Sequence, residues 1–380
     1  MNRMRKEIQV NRMRFTRAAG VLCTVALLAG CASGGAPGDT SPAPGAVDGD
    51  ALVIEGVEVA DAELYAAAKD EGTIVLYTTA SQSRSDALSA IFMEQTGIDL
   101  ETVRLGGSKL TQRIAAEIAA NKLGADVIAQ SDKALALENV SAGALGQYCP
   151  PGAELIEESF TIGGCASLPL QITAMAFGAN IAAAEEKDLP TSWKELVSKG
   201  QSGKIAIQSI GTGGSSWAVY LAIRKLYGVD FWKELAALDP VISDAASASQ
   251  EAVVRGAQII APLVPPSNVG LAIEDGAPLK VIFPTDGTPA FANWTGIAAN
   301  PPHPNAAKLY LNWVVSTAGQ NAMASLGDYS GIPGSPAPQV VGVDSPPTID
   351  ELVLPEKWTE YVTEREAWNA EWNEIFGYTG

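Results

Sequence analysis

Short apolar segments rich in β-branched residues alternate with helical patterns along much of this sequence. Residues 72–78 and 98–105 are typical of strands, and residues 86–95 between them carry apolar side chains at helical spacing. A helix within 110–124 and a strand over 125–129 continue the alternation. Strands that are apolar on both faces have to be covered by helices on both sides. The pattern therefore predicts the α/β class, with parallel strands joined by right-handed helical crossovers.

The alternation begins again after residue 168, which predicts a second α/β unit. Its elements are expected at 203–208, 216–227, 258–264 and 279–283. Residues 61–168 plus 292–380 are predicted to form one lobe and residues 169–291 the other, because the second unit is inserted between two parts of the first. Two such lobes leave a cleft between them. Ligands of open α/β sheets bind beyond the carboxyl ends of the strands, often at a domain interface, so we expect function to reside in that cleft.

Residues 1–30 have the features of an export signal. Basic residues precede a short apolar run over 21–28, and small residues follow it. The segment 28–31 also resembles the bacterial lipobox, in which Cys31 becomes the lipidated first residue of the mature protein. The alternative is a plain secretion signal with an incidental cysteine. Residues 31–60 are expected to be a flexible tether, so the protein is predicted to be exported and lipid-anchored at the outer face of a bacterial membrane.

The charge balance excludes several classes of function. The 380 residues contain 25 Lys and Arg against 43 Asp and Glu, for a net charge of −18 at pH 7. An acidic chain without a basic cluster is unsuited to nucleic acid, because phosphate neutralisation requires grouped cations. With 1 histidine and no cysteine cluster, there is no basis for a zinc site or a histidine-based catalytic dyad. We expect a monomer that is not an enzyme, with no cofactor and no metal.

Two cysteines remain beyond the signal and the lipobox. Cys149 and Cys165 form an even pair in a chain that is predicted to be exported, which favours a disulfide bond. In the chain-entropy model, closing a loop of this length would restrict the unfolded state by about 3 kcal/mol. The alternative is a pair of free thiols.

Hydroxyl groups and glycines follow strands of both predicted lobes, where a ligand would lie. Residues 78–83 and 211–216 each lead from a strand into the start of a helix. Helix starts expose unpaired N–H groups and a partial positive charge, which suits a phosphonate, a phosphate or a carboxylate. The alternative is that these residues are ordinary helix caps and turns. The candidate ligand contacts are Thr78, Thr79, Ser81, Ser108, Ser131, Gly213, Ser215, Ser216, Ser267 and Asp286.

Several other side chains have two interpretations. Arg84 is either a partner for an anionic ligand or a solvated surface residue, and Asp286 either holds an amine or belongs to a turn. Trp217 and Trp294 pack either against a ligand or in the core. His303, the single histidine, is expected to help start a helix.

Several segments of the sequence carry a resemblance to a known family: in chain order, 75–79, 92–98, 124–127, 188–196, 203–206, 276–280, 303–313 and 319–320. Through them, the sequence resembles the bacterial extracellular solute-binding proteins of the ferric-iron, thiamine, phosphonate and spermidine group over nearly all of the mature domain. The resemblance implies a type 2 periplasmic-binding-protein fold, in which two α/β lobes close around a small molecule. It also implies an ABC permease in the membrane as the partner. A solute-sensing module for a membrane signalling partner is a further alternative.

The resemblance leaves the ligand open. Ferric-binding members carry adjacent tyrosines after the strand that ends here at Val264, whereas this sequence has Pro-Pro-Ser-Asn over 265–268. Ser81 and Ser131 stand where those members often place a histidine and a glutamate. Fe(III) prefers hard anionic oxygen donors, and neutral hydroxyls are poor substitutes. We therefore favour an anionic or zwitterionic organic solute, with a ferric-iron receptor as the alternative.

Overall fold

The structure is a computed structural model that describes residues 46–48, 50–212, 214–355 and 358–379. The predicted signal at 1–30, the lipidation site Cys31 and Gly213 lie outside the described residues. In the described ranges, no helix combines the length and the apolar character that a membrane crossing requires.

The chain between residues 46 and 141 alternates strands and helices after an initial meander. Its elements are β1 (Ala46–Asp48), β2 (Ala51–Ile54), β3 (Val57–Ala60), α1 (Ala62–Glu71), β4 (Thr73–Thr78), α2 (Gln82–Thr96), β5 (Asp99–Arg104), α3 (Gly107–Ala119), β6 (Val127–Gln130) and α4 (Lys133–Ser141). The predicted strand–helix order of this region is confirmed, with ends that differ from the predictions by a few residues.

The central part of the chain contributes shorter strands and more helices. Its elements are β7 (Leu168–Ala174), β8 (Ala176–Asn180), α5 (Trp193–Lys199), β9 (Ala206–Gln208), α6 (Ser215–Tyr227), α7 (Asp230–Ala236), β10 (Val241–Ser243), α8 (Ala246–Val254), β11 (Ile260–Val264), α9 (Pro266–Glu274) and β12 (Leu279–Ile282). The final elements are β13 (Thr288–Ile297), α10 (Pro304–Val315), α11 (Thr317–Ser325), β14 (Tyr329–Ser330), β15 (Leu352–Val353) and α12 (Trp358–Phe376).

The main sheet has the strand order β14-β7-β13-β6-β4-β5, and β15 pairs with β13. The strands β4, β5 and β6 are parallel, as predicted, whereas β13 runs antiparallel to both β6 and β7. We call this sheet, with α1 to α4, α10 and α11, the first lobe. Its core includes Phe92, whose ring meets the rings of Tyr310 and Trp313 edge-on at 5.3 and 5.1 Å.

The second lobe is built on two small sheets, β11-β8-β12 and β10-β9, with α5 to α9 around them. The strands β11 and β12 are antiparallel to β8, whereas β9 and β10 are parallel, so the second α/β unit contains both kinds of strand pair. Only Met175 separates β7 of the main sheet from β8 of the second lobe. The chain therefore crosses between the lobes at residue 175 rather than at 169, and it returns before β13 begins at Thr288.

Two further features change the predicted boundaries. Residues 51–60, expected in the tether, form the hairpin β2–β3, because Leu52, Ile54 and Val59 are buried in the first-lobe core. The tether prediction is wrong for these ten residues. The helix α12, predicted in the first lobe, packs its Trp372 into the aromatic core of the second lobe.

The predicted disulfide bond between Cys149 and Cys165 is present, with the two Cα atoms 5.2 Å apart. It closes the irregular segment between α4 and β7, which contains only short 3-10 turns. Such a segment has few backbone hydrogen bonds of its own, so the crosslink supplies a constraint that regular structure does not.

Candidate functional site

A cavity of about 120 Å³ lies where loops of the two lobes meet. First-lobe residues from the ends of β4, β5 and β6 form one wall, and second-lobe residues from the ends of β9, β10 and β11 form the other. Residues of β7 and β13, the strands next to the two chain crossings, line it as well. The cavity thus lies beyond the carboxyl ends of strands from both lobes, as expected for a ligand site of an α/β fold.

Five helices begin at this cavity. The residues that precede α2, α3, α6, α8 and α9 all line it, namely Ser81, Gly106, Gly214, Ala245 and Pro265. Each helix start presents backbone N–H groups without intrahelical partners and the positive end of the helix dipole. Helix starts from both lobes therefore face one small volume.

Four of these helices begin at residues whose side chains cannot accept a hydrogen bond. Gly106, Gly214, Ala245 and Pro265 are the cap residues of α3, α6, α8 and α9, and none of these caps makes a side-chain hydrogen bond to its helix. A serine, threonine or aspartate at such a position would normally accept from the second or third N–H of the helix. The starts of α3, α8 and α9 thus keep N–H groups available for an acceptor in the cavity.

Arg84 and Asp328 form a buried ion pair in the cavity wall. The Arg84 Nε donates to Asp328 Oδ2 at 2.9 Å, and both side chains are almost completely buried. Gln171 Nε2 and Thr173 Oγ1 also donate to this carboxylate, at 2.8 and 3.2 Å. Burial raises the pKa of Asp328 above its ordinary value, and Arg84 and the two hydrogen bonds oppose that effect. The charge of Arg84 is therefore neutralised within the protein. Arg84 is thus neither a solvated surface residue nor a free charge for an anionic ligand, the two interpretations that its sequence position allowed.

Neutral amides line a further part of the wall. Asn293 Nδ2 donates to Thr173 Oγ1 at 3.3 Å, and Gln171 lies opposite Asn293 in the β7–β13 pairing. Gln208 is the last residue of β9 and is buried, and its Nε2 has no hydrogen-bond partner among the described residues. A buried amide without a partner costs free energy, so a ligand that pairs with it gains the corresponding amount.

The rim of the cavity carries an exposed arginine and an exposed aspartate. Arg104 is the last residue of β5, and its Nε donates to the Ala80 carbonyl oxygen at 3.3 Å. Asp244 Oδ1 accepts from the Tyr378 hydroxyl at 2.7 Å. The formal charges of the lining residues cancel, because Arg84 and Arg104 are balanced by Asp244 and Asp328. The electrostatic potential in the cavity is therefore set by the helix starts, which make it positive.

Hydrogen bonds join the two walls across the cavity. The Ser81 hydroxyl donates to Asn268 Oδ1 at 2.6 Å, which links the start of α2 to the start of α9. The Gly214 N–H donates to Asp132 Oδ2 at 3.2 Å, which links α6 to the start of α4. These contacts bring the first and second lobes together, so the structure has the closed arrangement of the lobes around the cavity.

Half of the ten predicted contact residues line the cavity. These are Thr79, Ser81, Ser131, Ser215 and Ser267. Their shared signal is their position directly after a strand or at the first turn of a helix. A ligand contact by these residues remains a prediction.

Four of the other predicted residues lie outside the lining. Thr78 is buried and its hydroxyl accepts from the Ala80 N–H at 3.1 Å, whereas Ser108 points to solvent from α3. Ser216 is buried in α6. Asp286 is a correction to the prediction: its carboxylate accepts from the N–H groups of Trp193 and Lys194, at 2.9 and 3.2 Å, and so stabilises the start of α5.

The remaining candidates have structural roles. Trp217 is buried in the second-lobe core. The ring of Trp294 carries the Lys133 ammonium group 4.6 Å from its centroid, and burial lowers the pKa of that lysine. His303 precedes α10, as predicted, and its Nδ1 lies 2.8 Å from Asp126 Oδ2.

The amides of the cavity wall were not among the predicted contact residues. Gln171 and Asn293 belong to buried strands, where a polar residue carries no local signal of its purpose. Gln208 could have been predicted, because it is a polar residue that follows two apolar residues at the end of a predicted strand. Ala245 and Pro265 could have been recognised as unusual helix caps only if α8 and α9 had been predicted, and they were not.

The donor set does not resemble a metal centre. In the part of the chain that the structure describes, no group of three or more His, Cys, Asp and Glu residues is placed to hold a metal ion. The described lining contains no tyrosine and no histidine, and one of its two carboxylates is already paired with Arg84.

A family model for bacterial extracellular solute-binding proteins matches residues 87–345. The chain belongs to this family. This solute-binding protein is therefore an extracellular binding protein rather than an enzyme. The family assignment agrees with the expectation of export, which the sequence of the first thirty residues suggested.

Solved structures share the fold of this solute-binding protein. The substrate-binding protein of an ABC transporter from Agrobacterium tumefaciens is 17% identical, with a TM-score of 0.66, over 80% of this chain and 94% of the other. AfuA from Actinobacillus pleuropneumoniae, solved with exogenous fructose-6-phosphate, is 20% identical, with a TM-score of 0.61 and coverage of 81% and 100%. Iron-bound HitA from Pseudomonas aeruginosa is 22% identical, with a TM-score of 0.60 and coverage of 77% and 98%. The predicted type 2 periplasmic-binding-protein fold is confirmed.

Proposed function

We propose that this solute-binding protein captures a small organic anion in the cavity between its lobes and delivers it to an ABC permease. The observation that carries the proposal is the convergence of the starts of α2, α3, α6, α8 and α9 on one cavity. An anion there accepts hydrogen bonds from several backbone N–H groups and gains from several helix dipoles at once. Because the formal charges of the lining cancel, no fixed carboxylate outweighs this effect.

The amides of the wall favour an anion that also carries hydroxyl groups. Gln171, Gln208 and Asn293 offer neutral hydrogen-bonding partners next to the helix starts. Phosphorylated sugars combine a charged group with hydroxyls, and AfuA, which shares the fold, was solved with fructose-6-phosphate. A phosphorylated sugar is therefore the first class of ligand to test, with phosphonates and hydroxycarboxylates next.

Ferric iron is the competing cargo, since HitA shares the fold and was solved with iron bound. Fe(III) prefers several anionic oxygen ligands, and the described lining offers only Asp244 and Asp328. Asp328 is engaged by Arg84, Gln171 and Thr173. Iron would have to arrive with an anion that supplies most of its ligands, and that complex would then be the solute.

Capture would proceed by closure of the lobes about the two chain crossings. Such hinge motion buries the ligand and creates a surface that differs from the open form, which a permease can distinguish. Similarity to the Agrobacterium tumefaciens protein supports an ABC permease as the partner. Neighbouring genes for a permease and an ATPase would agree with this role, whereas a neighbouring histidine kinase would favour the sensing alternative.

Thermal unfolding with matched probes tests the ligand class. We expect fructose 6-phosphate to raise the Tm, fructose and inorganic phosphate to do so less, and spermidine and thiamine to have no effect. At a ligand concentration about 100 times Kd, the stabilisation is about 2.7 kcal/mol, which is readily measured. Stabilisation by ferric ion in the absence of an organic anion, or by spermidine alone, would refute the anion assignment.

Membrane attachment through Cys31 is part of the same proposal. A diacylated cysteine at the end of a tether would keep the receptor close to its permease. We expect Cys31→Ala to move the protein from the membrane fraction to the soluble fraction, with ligand-induced stabilisation unchanged. Retention of the variant in membranes would show that another feature anchors the protein.

A further inference from the structure

The helix α12 connects the two lobes and lies beyond the residues that match the family model. Three of its aromatic residues, Trp368, Trp372 and Phe376, pack in the core of the second lobe. Trp372 is 1% exposed, and the ring of Trp368 lies 6.2 Å from that of Trp217 on α6. Phe376 stacks on Trp372 with ring centroids 4.4 Å apart and approaches Trp232 on α7. These contacts anchor α12 to the second lobe.

Charged groups on the same helix strengthen this anchor. The Arg224 guanidinium of α6 pairs with Glu371 and lies 4.5 Å from the ring centroid of Trp368. An arginine over an aromatic face gains electrostatic energy in addition to its ion pair. The helix is thus attached by packing and by charge, and it is expected to move with the second lobe.

Arg365, on the same helix, reaches the first lobe. Its Nη1 lies 2.8 Å from Oδ2 of Asp132, and its guanidinium carbon lies 5.3 Å from the ring centroid of Trp217. Asp132 is completely buried and begins α4 of the first lobe, where Oδ1 accepts from the N–H groups of Ala134 and Leu135. Asp132 Oδ2 also accepts from the Gly214 N–H. One first-lobe carboxylate therefore receives Arg365 and Gly214, both from elements attached to the second lobe.

We propose that Arg365 is a positioning residue whose ion pair with Asp132 clamps the two lobes in the closed arrangement, also in the absence of ligand. The pair joins elements on opposite sides of the chain crossings, so it is made when the lobes are together and lost when they separate. An interaction that exists in one of two conformations shifts the equilibrium towards that conformation. The proposal concerns the equilibrium between open and closed protein and does not depend on the identity of the ligand.

The position of the clamp also connects it to the cavity. Ser131 precedes Asp132 in the sequence, the Gly214 N–H donates to Asp132, and both residues line the cavity. Holding Asp132 against Gly214 therefore fixes the separation between the starts of α4 and α6. A ligand that binds between the walls encounters a pre-closed site and has less conformational free energy to supply.

Small-angle X-ray scattering of the mature, ligand-free protein tests the clamp. In Arg365→Met the apolar part of the side chain remains near Trp217 and the charge is removed. We expect the closed-to-open ratio to fall about tenfold and the radius of gyration to rise, because an ion pair that exists only in the closed form is lost. Arg365→Lys should restore most of the compactness. Arg255→Met, which breaks an exposed pair with Glu251 on α8, is the matched control and should leave the radius unchanged.

A double variant separates clamping from folding. Asp132→Asn with Arg365→Met removes the unpaired buried charge, so the protein should regain stability while the ligand-free lobes remain open. An unchanged radius of gyration in Arg365→Met and in the double variant would overturn the proposal, as would a lysine variant that is as open as the methionine variant. If the lobes open as expected but neither the unsubstituted protein nor its variants bind an anion, the clamp is supported and the proposed ligand class is wrong.

Discussion

Most helices that begin at the cavity lack a side-chain cap, whereas several helices that begin elsewhere on the molecule have one. Away from the cavity, α1, α5 and α11 begin with Asp61, Ser192 and Ser316. Their side-chain oxygens accept from the third N–H of their helices, at 2.8, 3.1 and 3.4 Å. At the cavity, α3, α8 and α9 begin with Gly106, Ala245 and Pro265, which have no side-chain acceptor.

The difference shows where the chain gives up stability. A serine or aspartate cap contributes about 1 kcal/mol relative to alanine. The helices α3, α8 and α9 forgo that contribution, and their N–H groups remain available to an acceptor from outside. Uncapped starts also occur elsewhere, at α7 and α10, and α2 at the cavity is capped by Ser81. Four of the five helices that begin at the cavity nevertheless lack a side-chain cap, at the place where an anion is proposed to bind.

The largest expected effect concerns the charges next to the cavity rather than the helix starts. Arg84→Met should lower the free energy of unfolding by about 3 kcal/mol at neutral pH, because it leaves the Asp328 carboxylate buried without a charged partner. Urea denaturation measures the loss.

The pH dependence of the same variant checks the cause. Without Arg84 the pKa of Asp328, already raised by burial, rises further, so the folded variant binds a proton more tightly than the unfolded chain. Stability should therefore be greatest at acidic pH and should fall as the pH rises through that raised value. A loss of stability that does not shrink on acidification would mean that Arg84 acts through packing.

The second prediction concerns a variant that adds a side-chain cap to one of the uncapped helices at the cavity. Ala245→Asp places a cap and a negative charge at the start of α8. We expect the affinity for fructose 6-phosphate to fall about 10- to 100-fold, since the carboxylate occupies N–H groups and repels the ligand, while the protein gains up to about 1 kcal/mol of stability. Calorimetric titration and urea denaturation give the two numbers. Unchanged affinity would remove α8 from the site.

Local pattern was sufficient to predict the first lobe. The strands β4 and β6 are largely apolar, and helices of ordinary length separate β4, β5 and β6, so their order, and the loops after β4 and β6, follow from the sequence. Thr79, Ser81 and Ser131 were found in this way. The second lobe was harder because β9 and β10 have only three residues each, and a buried run does not reveal whether its neighbours are parallel.

The amides of the cavity depend on long-range pairing. Asn293 faces Gln171 because β13 pairs with β7 in one particular register, over a separation of more than a hundred residues. No local pattern encodes that register. Similarly, Asp286 resembles a ligand residue in a turn until the fold brings the start of α5 to its carboxylate.

A smaller effect is expected at the unpartnered amide. Gln208→Leu keeps the approximate volume and removes both hydrogen-bonding groups of the side chain. We expect a loss of about fivefold in affinity for fructose 6-phosphate, which corresponds to one hydrogen bond of about 1 kcal/mol, and equal or higher stability because the unpaired buried Nε2 is gone. Gln250→Leu, which loses a bond to the Asn268 carbonyl, provides a contrast in which stability should fall. A Gln208 variant that binds normally would place the ligand away from β9.

The smallest effect is expected when the cap of α1, a helix that begins away from the cavity, is removed. Asp61→Ala gives α1 the same uncapped start that α8 has naturally. The free energy of unfolding should fall by about 1 kcal/mol, because the Leu64 N–H loses its acceptor. Ligand affinity should not change, since α1 packs against α10 on the first lobe and contributes no residue to the described lining. If Asp61→Ala weakened ligand binding as much as Ala245→Asp, the caps would act through general stability, and the distinction between the two groups of helices would lose its functional meaning.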